Sequence, residues 1–218
     1  MIALAEYVRN KEVGFQKLSE QYAKKTLFTK QNLYLEGEQP YYLYLITSGK
    51  IKQLKSNEAG KYYMLNIYKK GDFLAFSELI QNTHHNENAI AIETTEVLII
   101  GKDDFLKLIQ TEVHVAVKFL KNISQSVLET SDRFLKIVYD SARKRVADAI
   151  LFAADKYQEA EDGGLNFILL RENISALSGL SPETVSRNLT EFRAEGLIEI
   201  RNGFICILNL KKLRGVKD

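Results

Sequence analysis

The chain has 218 residues and a formal net charge of +2, with 30 Lys and Arg side chains against 28 Asp and Glu side chains. Hydrophobic residues make up 45% of the sequence and charged residues 27%, which is typical of a globular protein and excludes an intrinsically disordered chain. Cys206 is the single cysteine and the apolar runs are too short to span a bilayer, so we expect a cytoplasmic protein with neither an iron–sulfur cluster nor a membrane partner.

Short strands separated by glycine turns are predicted for the first half of the chain. Gly37, Gly49, Gly60 and Gly71 are 11 or 12 residues apart, and runs rich in Tyr, Leu and Ile lie between them. This spacing is typical of a β-sandwich or barrel. About the first 25 residues are predicted as helix instead, from the spacing of their apolar side chains. The predicted strands cover residues 33–35, 41–47, 51–55, 62–68, 89–94 and 97–100.

A long helix with an apolar seam is predicted after the strands. Residues 105–154 contain neither Gly nor Pro, and within them apolar or small side chains alternate in steps of four and three residues. This heptad pattern favours a coiled-coil seam between two copies of the chain. In the alternative, the helix lies on the β-domain through a second stripe formed by Phe119, Ile123, Leu128 and Leu135. The seam consists of Val113, Val117, Leu120, Ser124, Val127, Ser131, Phe134 and Val138.

The C-terminal part is predicted as a winged helix-turn-helix. A helix over residues 141–159 and a short strand over 166–169 come first. Two helices follow, over 171–177 and 182–195, with Gly179 in the turn between them. The Asn202-Gly203 pair then separates two apolar runs, which predicts a β-hairpin with a type I′ turn.

The second helix of that pair carries side chains suited to reading DNA. Ser181 is a good N-cap and Pro182 suits the first helical position. Glu183 and Arg187 are then left to point outward, and these residue types pair with cytosine and guanine in the major groove. The alternative is a plain salt bridge between them, worth only ~0.2–0.5 kcal/mol. The residues predicted to contact DNA are Ser181, Glu183, Thr184, Ser186, Arg187 and, beside the wing, Arg201.

Residues 174–189 resemble the helix-turn-helix of the Crp/Fnr family of bacterial transcription regulators. The Glu-Thr-Val-Ser-Arg core at 183–187 is most similar to the Fnr subgroup, and Gly49 with the Gly71-Asp72-Phe73 turn resembles the turns of the family's cyclic-nucleotide-binding β-roll. The resemblance implies an α+β fold. It comprises an N-terminal jelly-roll β-barrel that acts as sensor at 1–110, a dimerisation helix at 111–140 and a winged helix-turn-helix DNA-binding domain at 141–218.

The same resemblance implies the partners. We expect a homodimer that binds a near-palindromic, TGA-containing site on double-stranded DNA and also contacts RNA polymerase. Pro182 stands where several relatives carry a contacting side chain, so the outermost base preference stays open.

The sensor pocket of this family is only partly matched. Glu78 resembles the family's ribose-binding Glu, and the Thr130-Ser131 pair resembles one that contacts adenine across the dimer. Residues 83–91 contain no Arg or Lys where an Arg-Ser pair should hold the cyclic phosphate, and His85 and Asn86 fall near those positions. Cyclic AMP is therefore disfavoured and the effector stays open. The candidate effector pocket comprises Glu78, His85, Asn86, Thr130 and Ser131.

Two alternatives for the β-domain remain. A cupin-type metal enzyme would need several His and a carboxylate on neighbouring strands, and His84, His85 and His114 fit that poorly, so we predict no metal site and no enzyme. Alternatively, the roll is an effector-free scaffold for a DNA-binding dimer, and the sequence favours neither this nor a true sensor.

Overall fold

The computed structural model describes residues 18–58, 60–157, 166–168, 171–201 and 204–217. Its internal contacts divide the chain into two compact units. The first contains residues 1–55 and 66–130, and the second contains residues 56–65 and 131–218.

Two four-stranded sheets form most of the first unit. One sheet has the order β1-β8-β3-β6 and the other β2-β7-β4-β5, with antiparallel pairs such as β3 with β8. The strands are β1 (Ala23–Leu27), β2 (Asn32–Tyr34), β3 (Tyr42–Ser48), β4 (Lys50–Ser56), β5 (Tyr62–Lys69), β6 (Phe73–Leu74), β7 (Asn88–Ala91) and β8 (Thr95–Gly101). The helices that begin in this unit are α1 (Phe76–Gln81), α2 (Lys102–Thr111) and α3 (Val113–Tyr139).

Phe119 joins the long helix α3 to the core of the first unit. Its ring lies 5.0 Å from that of Phe105 and 5.2 Å from those of Phe73 and Phe76. Burial of such a side chain contributes about 1.5–3 kcal/mol, so this residue fixes the first half of α3 on the sheets. The tight turn between β3 and β4 requires Gly49, because its φ is +78° and a Cβ there would lie 2.5 Å from the Thr94 carbonyl oxygen.

The second unit is a small helical domain with a three-stranded sheet. Its helices are α4 (Ala142–Tyr157), α5 (Arg171–Ser178), α6 (Pro182–Ala194) and α7 (Leu210–Arg214). Its strands are β9 (Asn166–Ile168), β10 (Ile198–Arg201) and β11 (Phe204–Ile207), in the order β10-β11-β9. The core between the helices is apolar and fully enclosed, formed by Val146, Ile150, Ile174, Leu189 and Phe192.

The predicted fold is confirmed, with corrections in detail. The predicted N-terminal helix ends too late, because the strand β1 already begins at Ala23, and residues 1–17 lie outside the described residues. The sequence did not predict β6, α1 or α7. Asn202 and Gly203, the predicted hairpin turn, also lie outside the described residues, although Arg201 and Phe204 on either side are paired.

The second apolar stripe of α3 only partly packs as expected. Phe119 is buried, but Leu128 and Leu135 are 62% and 51% exposed, so the described residues leave the later part of this stripe largely uncovered. Of the helices in the described ranges, none is both long enough and apolar enough to cross a membrane.

Candidate nucleic-acid interface and sensor core

Side-chain hydroxyls and a glycine form the turn between α5 and α6. Ser178 Oγ donates to the Ile174 carbonyl oxygen at 2.7 Å, and Ser175 Oγ donates to the Leu180 carbonyl oxygen at the same distance. Gly179 has a φ of +64°, a backbone conformation that residues with a Cβ rarely adopt. These features end α5 and turn the chain sharply into α6.

Ser181 begins α6 as the sequence predicts. Its backbone is extended, with φ −67° and ψ 151°, and its Oγ accepts from the Thr184 N–H at 3.3 Å. Pro182 lies in the first turn of α6, where a backbone N–H has no partner within the helix, so the N–H that proline lacks is not needed. The hydroxyls of Ser181 and Thr184 also bond at 3.1 Å, so both predicted contact residues belong to the cap that starts the helix.

The outward face of α6 carries unpaired charges. Val185, Leu189 and Phe192 are buried, whereas Glu183 and Arg187 are exposed and Ser186 is half-buried. The Glu183 backbone N–H and the Ser181 hydroxyl lower the pKa of the Glu183 carboxyl group, because both favour the anion. No ion pair joins Glu183 to Arg187 in the described part of the chain. Glu183 and Arg187 therefore do not form the alternative salt bridge, and both side chains remain available to a binding partner.

Arg201 is already engaged on its own strand. It lies at the end of β10 with its side chain 76% exposed, and its Nε is 2.7 Å from Glu199 Oε1. The hydrogen bond to this carboxylate raises the pKa of Arg201. A phosphate contact by this residue stays a prediction, and it would compete with Glu199 for the guanidinium.

The predicted seam on α3 is an exposed apolar face. Its apolar members are between 41% and 75% exposed, with Phe134 at 63%. Thr130 and Ser131 are exposed on the same helix. A row of large apolar side chains left open to water is typical of a protein–protein contact surface. The exposed members are Val113, Val117, Leu120, Val127, Phe134 and Val138.

The interior of the roll holds a buried acidic cluster. Glu78 and Glu87 are 8% and 3% exposed. Gln53 Nε2 donates to Glu87 Oε1 at 2.6 Å, and the Tyr68 hydroxyl donates to Gln53 Oε1 at 3.1 Å. Burial, reinforced by the charge of Glu78 and a hydrogen bond to it, raises the pKa of Glu87 from 4.5 to about 8. Glu87 is therefore mainly protonated at neutral pH, hydrogen-bonded to its acidic neighbour.

His85 stacks on Tyr34 beside this cluster. Their ring centroids are 3.7 Å apart and the planes differ by 8°. The Gly37 N–H donates to the His85 carbonyl oxygen at 2.7 Å, and the His85 N–H donates to the Glu38 carbonyl oxygen at 2.9 Å. Within the described residues, neither His85 Nδ1 nor the Tyr34 hydroxyl has a hydrogen-bond partner. Burial lowers the pKa of His85, so this side chain is neutral at pH 7 and supplies no positive charge.

The structure brings only part of the candidate pocket together. Glu78 and His85 lie in the buried cluster, whereas Asn86 is exposed and its carbonyl oxygen accepts from Lys55 Nζ. Thr130 and Ser131 are on the exposed part of α3. Sequence reasoning missed Glu87 as a pocket residue, because spacing along the chain does not report which strands face each other. The other members that it missed are Tyr34, Gln53 and Tyr68.

Comparisons with known proteins identify both halves of the chain. Residues 24–112 match the family model of the cyclic nucleotide-binding domain, and residues 144–216 match that of the Crp-like helix-turn-helix domain. The chain belongs to the Crp/Fnr family of transcription regulators.

Relatives of this Crp/Fnr regulator span most of its length. The cyclic AMP receptor protein of Thermus thermophilus is 28% identical over 82% of this chain and 83% of its own. The fumarate and nitrate reduction regulatory protein of Escherichia coli is 27% identical over 85% of this chain and 75% of its own. The solved structure of FixK2 from Bradyrhizobium japonicum has a TM-score of 0.79 at 22% identity and covers 90% of this chain and 98% of its own.

Family membership decides the class of function. This Crp/Fnr regulator is a DNA-binding transcription regulator and not an enzyme, which excludes the cupin-type alternative. The names of its relatives differ, since one is a cyclic AMP receptor protein and another is a fumarate and nitrate reduction regulatory protein. The argument for or against an effector in this chain therefore rests on the residues of its own roll.

Proposed function

We propose that two copies of this chain form a homodimer that reads a near-palindromic, TGA-containing DNA site. Residues 1–110 serve as the sensor domain, 111–140 as the dimerisation helix and 141–218 as the DNA-binding domain. The observation that carries the proposal is the capped helix α6, which presents Glu183 and Arg187 outward without an ion pair between them. Each copy inserts its α6 into the major groove, with half-sites about 34 Å apart.

The exposed face of α3 supports the dimer. Apolar side chains spaced in heptads remain open to water along the helix, and a second copy of the same face would cover them. Leu128 and Leu135, which are 62% and 51% exposed, widen this face. A two-fold axis along α3 would also give the DNA site its near-palindromic symmetry.

The buried cluster supports a roll that does not take cyclic AMP. A buried phosphate needs charge-assisted donors, and Arg supplies them best. The buried side chains beside His85 are instead two glutamates, and His85 itself is neutral, so an anion there would meet an acidic interior. The nearby Lys55 is half-exposed and already lies 3.4 Å from a carboxylate oxygen of Glu36. The proposal therefore includes an uncharged or cationic effector, and its alternative is an effector-free roll that serves as a scaffold. The family resemblance adds RNA polymerase as a partner and the cytoplasm as the location.

Selection from a random pool of DNA duplexes tests this proposal. The full chain is purified and the duplexes that it retains are sequenced over several rounds. We expect an inverted repeat with TGA in each half and about one helical turn between half-site centres. Recovery of a single, asymmetric half-site would contradict the dimer, and the absence of any enriched sequence would contradict sequence-specific binding.

A further inference from the structure

Two arginines of α4 hold different parts of the helix-turn-helix. Arg145 Nε donates to the Ser178 carbonyl oxygen at 3.0 Å, and its Nη2 donates to the Gly179 carbonyl oxygen at 3.2 Å. Arg143 Nη2 lies 2.7 Å from both carboxylate oxygens of Glu195, and its Nη1 donates to Glu191 Oε2 at 3.1 Å. The first arginine therefore contacts the turn, and the second contacts the C-terminal part of α6.

The contact at the turn satisfies backbone groups that a helix cannot satisfy itself. The last carbonyls of a helix have no partner within it, and Ser178 is the last residue of α5. Gly179 follows in the left-handed region, so the chain reverses direction immediately beyond that carbonyl. Because one planar guanidinium bonds to two successive carbonyl oxygens, it fixes the direction in which the chain leaves α5.

The contact at the far end of α6 restricts rotation of this helix. Arg143 forms charge-assisted bonds to two carboxylates one turn apart, and its Cζ lies 4.7 Å from the centroid of the Phe192 ring. Phe192 is fully buried, so the guanidinium rests on a fixed surface. Helix α6 is thereby held to α4 along one edge in addition to its apolar face.

We infer that Arg143 and Arg145 are positioning residues, which set the orientation of α6 and so determine how well this regulator discriminates between bases. This inference rests on the proposed DNA-reading role of α6. Glu191 lies eight residues beyond Glu183, or about 12 Å along the helix axis, so Arg143 acts on the helix end remote from the predicted base contacts. A bidentate contact to a base edge requires placement within about 0.5 Å, so the contacts that orient α6 bear directly on discrimination.

The test compares Arg143→Lys and Arg145→Lys with the unaltered full chain. Lysine keeps the charge but loses the planar fork, so only the geometry of the contact is changed. Affinity is measured by fluorescence anisotropy on the palindrome recovered by selection and on a scrambled duplex, at several salt concentrations. We expect the ratio of the two affinities to fall about tenfold in each variant, within the roughly 5- to 150-fold that one base contact supplies.

Salt dependence and thermal stability distinguish a positioning role of the two arginines from a phosphate contact and from a purely structural role. A positioning role leaves affinity for the scrambled duplex, and the slope of log affinity against log salt, unchanged. If an arginine instead contacts phosphate, the slope falls by about 0.9 and both duplexes lose affinity, which overturns the inference. If the arginines are only structural, the melting temperature falls while the affinity ratio is preserved, which also overturns it.

A double-mutant cycle and a matched control complete the design. Arg143→Ala and Glu195→Ala should each lower the affinity ratio, and the double variant should lose little more than Arg143→Ala alone, since that change already removes the pair with Glu195. Additive losses would show that Arg143 does not act through Glu195. Lys144→Gln removes a charge from the same helix, where Lys144 pairs with Asp148, and should leave the ratio unchanged. If the unaltered chain does not discriminate between the duplexes, the proposed function fails first and this inference with it.

Discussion

Replacing Glu87 by Gln should remove much of the pH dependence of stability in the roll. Gln has nearly the same shape, and its carbonyl oxygen can accept from Gln53 Nε2 as Glu87 Oε1 does. Its amide can donate toward Glu78, as the protonated acid does. The variant thus mimics the protonated carboxyl group and stays neutral at every pH. The difference between wild type and variant therefore reports the titration of Glu87 alone.

The sign and size of the effect follow from the pKa of Glu87. Since this pKa rises from 4.5 to about 8 on folding, the folded chain holds an extra proton between these values. The resulting stability is fully present below about pH 4.5 and is lost as pH rises through about 8. Each pH unit in this range changes the free energy of unfolding by ~1.4 kcal/mol. Wild type should therefore lose about 3 kcal/mol of stability relative to the variant between about pH 5.5 and about pH 8.5. His85 acts in the opposite sense, because burial lowers its pKa, but it is present in both proteins.

Urea unfolding followed by circular dichroism measures this difference. Free energies of unfolding are determined for wild type and Glu87→Gln across the pH range, with Glu58→Gln, in an exposed turn, as the control. We expect the control to follow wild type, and the free energy of unfolding of wild type relative to Glu87→Gln to fall by about 3 kcal/mol between about pH 5.5 and about pH 8.5. Parallel curves for wild type and Glu87→Gln would refute the raised pKa of the buried Glu87.

Three further predictions concern the dimer, the ligand and the helix cap. Phe134→Asp places two charges in the seam of the dimer, so sedimentation should show folded monomers; a variant that stays dimeric at micromolar concentration would place the interface elsewhere. Cyclic AMP should not bind tightly, because loss of a charged partner for a buried anion costs about 2–5 kcal/mol, and a calorimetric Kd of a few micromolar or lower would contradict the acidic interior. Ser181→Ala should lower the free energy of unfolding of the second unit by about 1 kcal/mol through loss of the Thr184 N–H bond, and unchanged thermal unfolding would show that the cap is not needed.

The helix-turn-helix was predictable because residues next to each other in the sequence determine where its helices begin and end. Ser181 caps α6 and Pro182 starts it, and the predicted helix over 182–195 differs from the observed one by a single residue. Gly179 marks the turn in the same way, because its positive φ is a local requirement. The long helix was predictable for a similar reason, since its period is a property of consecutive residues.

The missed features depend on distant contacts. Strand β1, with the sequence Ala-Lys-Lys-Thr-Leu, is exposed except at Leu27, and forms because it pairs with the distant β8, from Ala23 with Ile99 to Leu27 with Thr95. The buried cluster is similar, because Gln53 and Glu87 meet only when β4 pairs with β7. Glutamate side chains are mostly found at the surface, and no local pattern shows that Glu87 is buried beside another carboxyl group.

Arg187→Ala tests the central claim most directly, because Arg187 is exposed on the face of α6 that should read guanine and forms no ion pair among the described residues. Affinities for a TGA-containing palindrome and a scrambled duplex are compared for this variant, for wild type and for Arg193→Ala, which removes a charge from the exposed C-terminal end of α6. The account predicts that Arg187→Ala loses about 1–3 kcal/mol of discrimination, roughly 5- to 150-fold, and that Arg193→Ala keeps the wild-type ratio. An unchanged ratio in Arg187→Ala would contradict the assignment of α6 as the helix that reads DNA.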